Sequence, residues 1–308
     1  MRNIMISIIK KNSFIYYGLK KISYQFKLIK FKKLNLQGKK AYISKLYYKM
    51  HDKNINWENP LSYTEKMQLY KLEGKDIEIK SKLSDKIAVR EWVEEKIGKK
   101  YLIPEIGIYD SFEEIIKNDL PNSFVIKCNH DSGSTTVVRD LNKVNWNDLK
   151  YKYKFHLSTD YSYFTMEPQY SLIKPKIIIE ELLDFDLSNN KIEDYKFLCF
   201  DGVVHFCWID IDRFNNHKRN IYNLNWELQS WNQQNYGNYD KKINEPKNFK
   251  KMIEIAEKLS AGFSHVRVDL YNLNGKIYFG EMTFTNGSGF EKIYPQIWDN
   301  NLGKLWNL

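Results

Sequence analysis

Residues 266–281 read Val266–Arg267–Val268–Asp269–Leu270–Tyr271–Asn272–Leu273–Asn274–Gly275–Lys276–Ile277–Tyr278–Phe279–Gly280–Glu281. Alternating apolar and polar positions around Asn274–Gly275 predict two antiparallel strands joined by a tight turn. With the three-residue loop Leu273–Asn274–Gly275, Gly275 takes the left-handed position and Asn272 pairs with Lys276. That register sets Arg267 opposite Glu281 and Asp269 opposite Phe279. Cross-strand partners share a face, so Arg267, Asp269 and Glu281 converge on one side of the sheet. A two-residue Asn274–Gly275 turn would split them between faces. Two carboxylates beside a guanidinium suit a hard cation with a phosphate clamp: magnesium takes oxygen ligands, and arginine grips phosphoryl oxygens in bidentate fashion. The plainer alternative is a structural salt-bridge ladder. The polar loop Thr283–Phe284–Thr285–Asn286–Gly287–Ser288–Gly289 favours a ligand, because its glycines let backbone come close.

Upstream, Phe124–Val125–Ile126–Lys127–Cys128 is a buried-strand pattern running into Asn129–His130–Asp131–Ser132–Gly133–Ser134–Thr135–Thr136, with Val137–Val138 as hairpin partner. A lysine near the end of such a strand can set an ammonium on phosphates while loop amides at Ser132, Gly133 and Ser134 cover them. The Gly-Lys-Ser/Thr of a Walker loop is missing, and an ordinary hairpin turn fits as well. Ile177–Ile178–Ile179–Glu180–Glu181–Leu182–Leu183 is an apolar strand with acids at its exit; it suits either an adenine edge with Leu183 on the ring or a solvated strand end. Tyr195–Phe200, Val203–Asp210 and His265–Phe284 make the second half sheet-rich, with a helix over Pro246–Leu259. Asp210 to Tyr222 is polar and basic, and suits an anionic substrate or a solvated loop. His130, His205 and His217 read as structural. Helix-start signals precede Met67–Leu72, and Ser84–Asp85–Lys86 opens a helix from Ile87 to Ile97 that stops at Gly98.

The ordered set resembles the ATP-grasp superfamily, and within it the TupA-like group of teichuronopeptide and polysaccharide biosynthesis. The carriers are Ser84–Asp85–Lys86–Ile87–Ala88–Val89–Arg90, Phe124–Lys127 with its Ser/Gly loop, Ile179–Leu183, Asp194–Tyr195–Lys196–Phe197, Arg267–Val268–Asp269 and Gly280–Glu281–Met282–Thr283–Phe284. The resemblance spans roughly residues 50–295. It implies an α+β ATP-grasp fold, two α+β subdomains clasping ATP behind a helical, basic N-terminal region. It further implies that Lys86 and Lys127 contact ATP phosphates, that Glu180, Glu181 and Leu183 line the adenine, and that Asp194 meets the ribose. Arg267 would hold the transferring phosphate with Lys196, and Arg219 lies in the basic stretch suited to the substrate. Asp269 and Glu281 would ligate Mg2+, with Thr283 where many members place Asn. Divided accordingly, the chain has a basic arm at 1–50, a helical and α/β region at 51–122, a nucleotide-binding subdomain at 123–185 and a metal and catalytic subdomain at 186–308.

Composition narrows the function classes. The 308 residues carry a net charge of +10. Residues 1–50 hold 12 Lys, one Arg and no acid, whereas the rest hold 35 basic against 38 acidic groups. The basic character therefore belongs to the arm. Its alternation of Lys with Ile, Leu, Phe and Tyr predicts amphipathic helix that lies on an anionic membrane or acidic polymer, or docks on its own body. No zinc, RRM or helix-turn-helix signature accompanies the charge, so nucleic acid is not an expected partner. Three cysteines make neither a disulfide framework nor a zinc set, which favours a reducing cytoplasm, with peripheral attachment at the inner membrane face. The family resemblance, and not composition, implies a reaction that joins a carboxylate, such as that of a uronic-acid sugar in a surface polysaccharide, to an amine with ADP and phosphate as products. Against a glycosyltransferase, no Asp-x-Asp strand end stands in a nucleotide-sugar setting, and a non-catalytic polysaccharide- or membrane-docking scaffold that uses the basic arm and the 8 Trp and 22 Tyr would show no ATP dependence.

Overall fold

A computed structural model describes residues 12–183, 194–211, 217–234, 236–273 and 275–308. Local signals set the helices. Asn12 caps α1 (Ser13–Lys32) and Asn35 caps α2 (Leu36–His51), each side chain accepting a first-turn amide. Ser62 and Glu65 form a reciprocal capping box that starts α3 (Tyr63–Glu73), which Gly74 ends in the left-handed region. Next come α4 (Ile77–Ser84) and α5 (Val89–Ile97). The expected single helix from Ile87 begins two residues later, because Asp85 Oδ1 accepts the amides of Ile87 and Ala88 and turns the chain there.

The first sheet is antiparallel, in the order β1 (Glu105–Tyr109), β4 (Ile177–Glu181), β2 (Phe124–Cys128), β3 (Thr136–Val138). Since β1 is its edge strand, this unit reaches back past residue 123 into the helical and α/β region expected at 51–122. Phe124, Ile126, Cys128, Ile177 and Ile179 bury one face against α6 (Trp146–Leu157) through Leu149 and Tyr153. Strand alternation turns Val125, Lys127, Ile178 and Glu180 to the other face.

The second sheet, also antiparallel, runs β10 (Lys276–Thr283), β9 (His265–Leu273), β5 (Asp194–Phe200), β6 (Val203–Ile211), β7 (Lys218–Tyr222). A short pair, β8 (Asn232–Gln233) with β11 (Ile293–Tyr294), stands beside it. The helix α7 (Phe249–Ser260) places Phe249, Met252, Ile255, Ala256 and Leu259 at helical spacing onto Phe197, Cys199, Val266, Val268 and Leu270. Residues of α3, α5 and the closing helix α8 (Ile297–Leu305) join the same core, so residues 63–97 belong with the second sheet. All three cysteines are buried and free. Among the described residues, no helix is long and apolar enough to cross a membrane.

Candidate active site

With one face of the second sheet taken up by α7, its polar residues collect on the other. The β9–β10 register differs from the expected one. Leu273 pairs with Lys276, which leaves two residues between the strands, and a bulge at Gly280 then shifts the pairing. A two-residue turn alone would have split the acids between faces. The extra residue restores them: Glu281 comes opposite Asp269 and Thr283 opposite Arg267. The neighbouring ladders place Lys196 beside Asp269, and Asp194 beside Asp210, itself beside Arg219.

Arg267 grips Asp269 with both arms, at 2.7 and 2.8 Å, and reaches Glu281 at 3.0 Å and Thr283 at 3.2 Å. Lys196 Nζ pairs with Asp194 and lies 3.2 Å from Asp269 and 3.8 Å from Asp210. Arg219 holds Asp210 bidentately at 2.6 and 3.0 Å, and its guanidinium lies over the Trp208 and Tyr236 rings. His217 Nε2 approaches Asp210 to 3.1 Å, off the line of a hydrogen bond. Residues 212–216 of the basic stretch lie outside the described residues.

The strands thus bring four carboxylates and three cations to one water-poor face, a surplus of negative charge. Burial, together with Glu281 and Asp194, pushes the Asp269 carboxyl above its ordinary range against the pull of Arg267 and Lys196. Burial also raises Glu281, but Arg267, Lys86, Lys196 and the Thr283 hydroxyl hold it down at about 2. Between the two guanidinium groups, the buried indole N–H of Trp208 has no acceptor among the described residues. Among the described residues no group of three or more His, Cys or acidic side chains is gathered to hold a metal ion, and Arg267 occupies both oxygens of Asp269, so a magnesium ion here would have to share the carboxylates with Arg267.

The first sheet supplies the other wall. Lys127 Nζ lies 2.5 Å from Glu180, which Arg90 of α5 holds from its other side at 3.1 Å. Lys86 Nζ donates to the Asp131 carbonyl, and its charge is among those that hold Glu281 down. The Ser/Gly loop differs from expectation in one side chain. Ser134 is buried, donates to Asp131 at 2.5 Å and accepts the Cys128 amide at 2.7 Å, so it shapes the loop from within. Ser132 and Gly133 are exposed. Asp131 is braced from behind by His156 Nδ1 at 2.5 Å, and the Tyr161 hydroxyl lies 2.6 Å from that nitrogen. Glu181 also departs from the expected lining. Alternation turns it to the face opposite Glu180, exposed, and its amide donates to Pro104. Leu183 is half-buried.

Sequence reasoning missed Arg90, Asp131, Trp208 and Tyr170. Burial, then the charges of Glu167 and Glu281, drives the Tyr170 phenol well above its usual range. Arg90, Asp131 and Trp208 stood in the quoted runs Ser84–Arg90, Asn129–Thr136 and Val203–Asp210 but without a role, and only Tyr170 lay outside them. His130 is structural, as expected: it is buried, with its Nε2 on the carbonyls of His156 and Thr159.

A family model described as TupA-like ATP-grasp matches residues 65–307. A search of curated proteins finds no match. Among solved structures, the chain is similar to D-alanine–D-alanine ligase from Bacillus anthracis complexed with ATP, at 13% identity over 66% of this chain and 53% of that one, TM-score 0.37. The corresponding enzyme from Helicobacter pylori gives 12% over 73% and 61%, TM-score 0.36. Phosphoribosylamine–glycine ligase from Thermotoga maritima gives 12% over 67% and 49%, TM-score 0.39. The chain therefore spans between about half and three fifths of the length of these ligases. The family match covers well over half of the chain, from α3 through α8, and takes in both sheets and every residue of the charged face: the chain belongs to the TupA-like ATP-grasp family.

Proposed function

We propose that the protein is an ATP-dependent carboxylate–amine ligase that forms an amide through an acyl phosphate, acting on a uronic-acid carboxylate of a surface saccharide. The observation that carries this is the row Glu281–Asp269–Lys196 flanked by Arg267 and Arg219. In the proposed reaction the γ-phosphoryl group passes from ATP to a carboxylate oxygen, with breakage of its bond to the β-phosphate oxygen. The lone pair of the amine then forms the C–N bond as the C–O bond to phosphate breaks, and the amine gives up a proton.

The chain's own residues answer the needs of that sequence. Phosphoryl transfer depends on positioning and on neutralising charge spread over phosphoryl oxygens. Lys86 and Lys127 are assigned to the nucleotide phosphates, Lys127 exchanging Glu180 for them, and Ser132 and Gly133 offer exposed loop amides. Glu180 and Leu183 are assigned to the adenine side and Asp194 to the ribose. Arg267 and Lys196 hold the transferring group, and Arg219 orients the anionic acceptor. Asp269, Glu281 and Thr283 would hold magnesium, which when bound neutralises charge on the transferring phosphoryl group.

Incubation with ATP, magnesium, a uronic acid and hydroxylamine tests the reading. The expected products are a hydroxamate, ADP and phosphate. Lys127→Ala should weaken nucleotide binding, whereas Arg267→Ala and Glu281→Gln should lower turnover by about a hundredfold or more while nucleotide still binds. AMP and pyrophosphate would move the chemistry to adenylation, and sugar transfer without ATP would replace it with glycosyl transfer.

A further inference from the structure

Helix α1 meets the body along one side only. Tyr17 packs on Phe155 and His156, Tyr24 packs on Phe164 and accepts the Asp160 amide, and Phe31 is buried against Tyr42. Seven residues apart, these three fall on one line of the helix at about 100° per residue. A second line, on the opposite side, carries Ile15, Leu19, Ile22, Phe26 and Ile29 at spacings of four, three, four and three. These five are 46%, 50%, 58%, 73% and 57% exposed. A continuous apolar stripe this open on a folded protein marks a contact surface.

The flanks say which kind. On the helical wheel Lys30 borders one edge of the stripe and Lys21 and Lys32 the other, whereas Lys20 and Lys27 turn to the body over Phe155 and Phe164, and the first acid in the sequence is Asp52. A second copy of α1 would bring like charges together along both edges of the seam, where paired helices place opposite ones. An anionic bilayer satisfies both parts, taking the apolar line into the acyl boundary and the ammonium groups among the headgroups.

We infer that α1 is an interfacial helix that docks the protein on an anionic membrane through Ile15, Leu19, Ile22, Phe26 and Ile29. This rests on the helix alone and not on the ligase reading. It also joins the two alternatives open for a basic amphipathic arm: one side docks on the body, and the other meets lipid.

Sedimentation of the full chain with vesicles tests the inference. Vesicles rich in phosphatidylglycerol should carry the protein down at low salt, phosphatidylcholine vesicles should not, and about 0.5 M salt should release it. The double variant Ile22→Ser, Phe26→Ser should weaken partitioning about tenfold or more, with unchanged circular dichroism and melting temperature, because both side chains are open to solvent. Absence of binding to anionic vesicles, or equal binding by the double variant, overturns the inference. So does a dimer in ultracentrifugation that the same variant dissolves. Loss of ATP-dependent activity without loss of vesicle binding would strike the ligase proposal and leave this one standing.

Discussion

Two carboxylates that line the site, buried Glu180 and half-buried Glu281, are held by similar means. Each stands between cations from different elements, Glu180 between Lys127 and Arg90, and Glu281 near Arg267, Lys86 and Lys196. A ligand phosphate that recruits Lys127 leaves Glu180 paired with Arg90, so neither carboxylate is stranded when a lysine departs. His265 is the opposite case. It is fully buried with its Nδ1 on the Cys199 carbonyl, and burial, against hydrogen bonds to Cys199 and Asn286, lowers it from 6.5 to about 3. The folded protein holds His265 neutral where the unfolded chain would protonate it, so its contribution is complete above pH 6.5 and is lost as pH falls towards 3. Acidification from pH 6.5 to 4 should cost about 3 kcal/mol through this group. Melting curves across that range should fall more steeply for the wild type than for His265→Gln; equal slopes would assign the acid sensitivity elsewhere.

At the scale of elements, the bulge at Gly280 decides whether the charged face exists. A Cβ at this position would lie 3.0 Å from the Asp269 carbonyl oxygen and 3.3 Å from the Tyr271 ring, so a branched side chain forces the strands apart where Glu281 must be aimed. Gly280→Val should destabilise by about 1–3 kcal/mol and lower kcat by about a hundredfold or more. Thermal melts and steady-state kinetics read the two effects separately. The convergence of Arg267, Asp269 and Glu281 was legible in the sequence, but not the route to it. Periodicity and one turn glycine suggested a three-residue loop, whereas a shorter connection and a bulge eight residues from Asn272 produce the same meeting with different partners. A bulge leaves alternation intact on either side, so it is invisible until the strands are paired. The strands β2, β4, β5, β6 and β9 were legible because apolar, β-branched runs with polar ends have few other uses. Ser134 and Glu181 were not, because facing inward or outward depends on register and on the partners Asp131 and Pro104. Arg90 and Tyr170 reach the site from elements separate from the strands that line it, which no local spacing encodes.

Over the whole molecule, the second sheet is closed by a joint between α3 and α8. Thr64 donates through its amide and its hydroxyl to Asp299, at 2.9 and 2.7 Å, and Lys66 donates to the carbonyls of Gly303 and Trp306. The helices meet so closely that a Cβ on Gly303 would fall 2.1 Å from the Leu61 carbonyl oxygen. Gly303→Ala should therefore destabilise by about 1–3 kcal/mol, seen as a lower midpoint in urea with an unchanged slope. Its consequence concerns how the protein is made. During synthesis, the strands that carry the charged face emerge before α8 does, and until then Tyr63, Tyr70 and Phe200 lack the Trp306 ring they pack against, while buried Thr64 lacks its carboxylate. A nascent chain held at residue 295 would possess every residue assigned to chemistry and still lack the closed body that positions them. Closure of the body is therefore a step that waits for α8 to emerge and dock on α3.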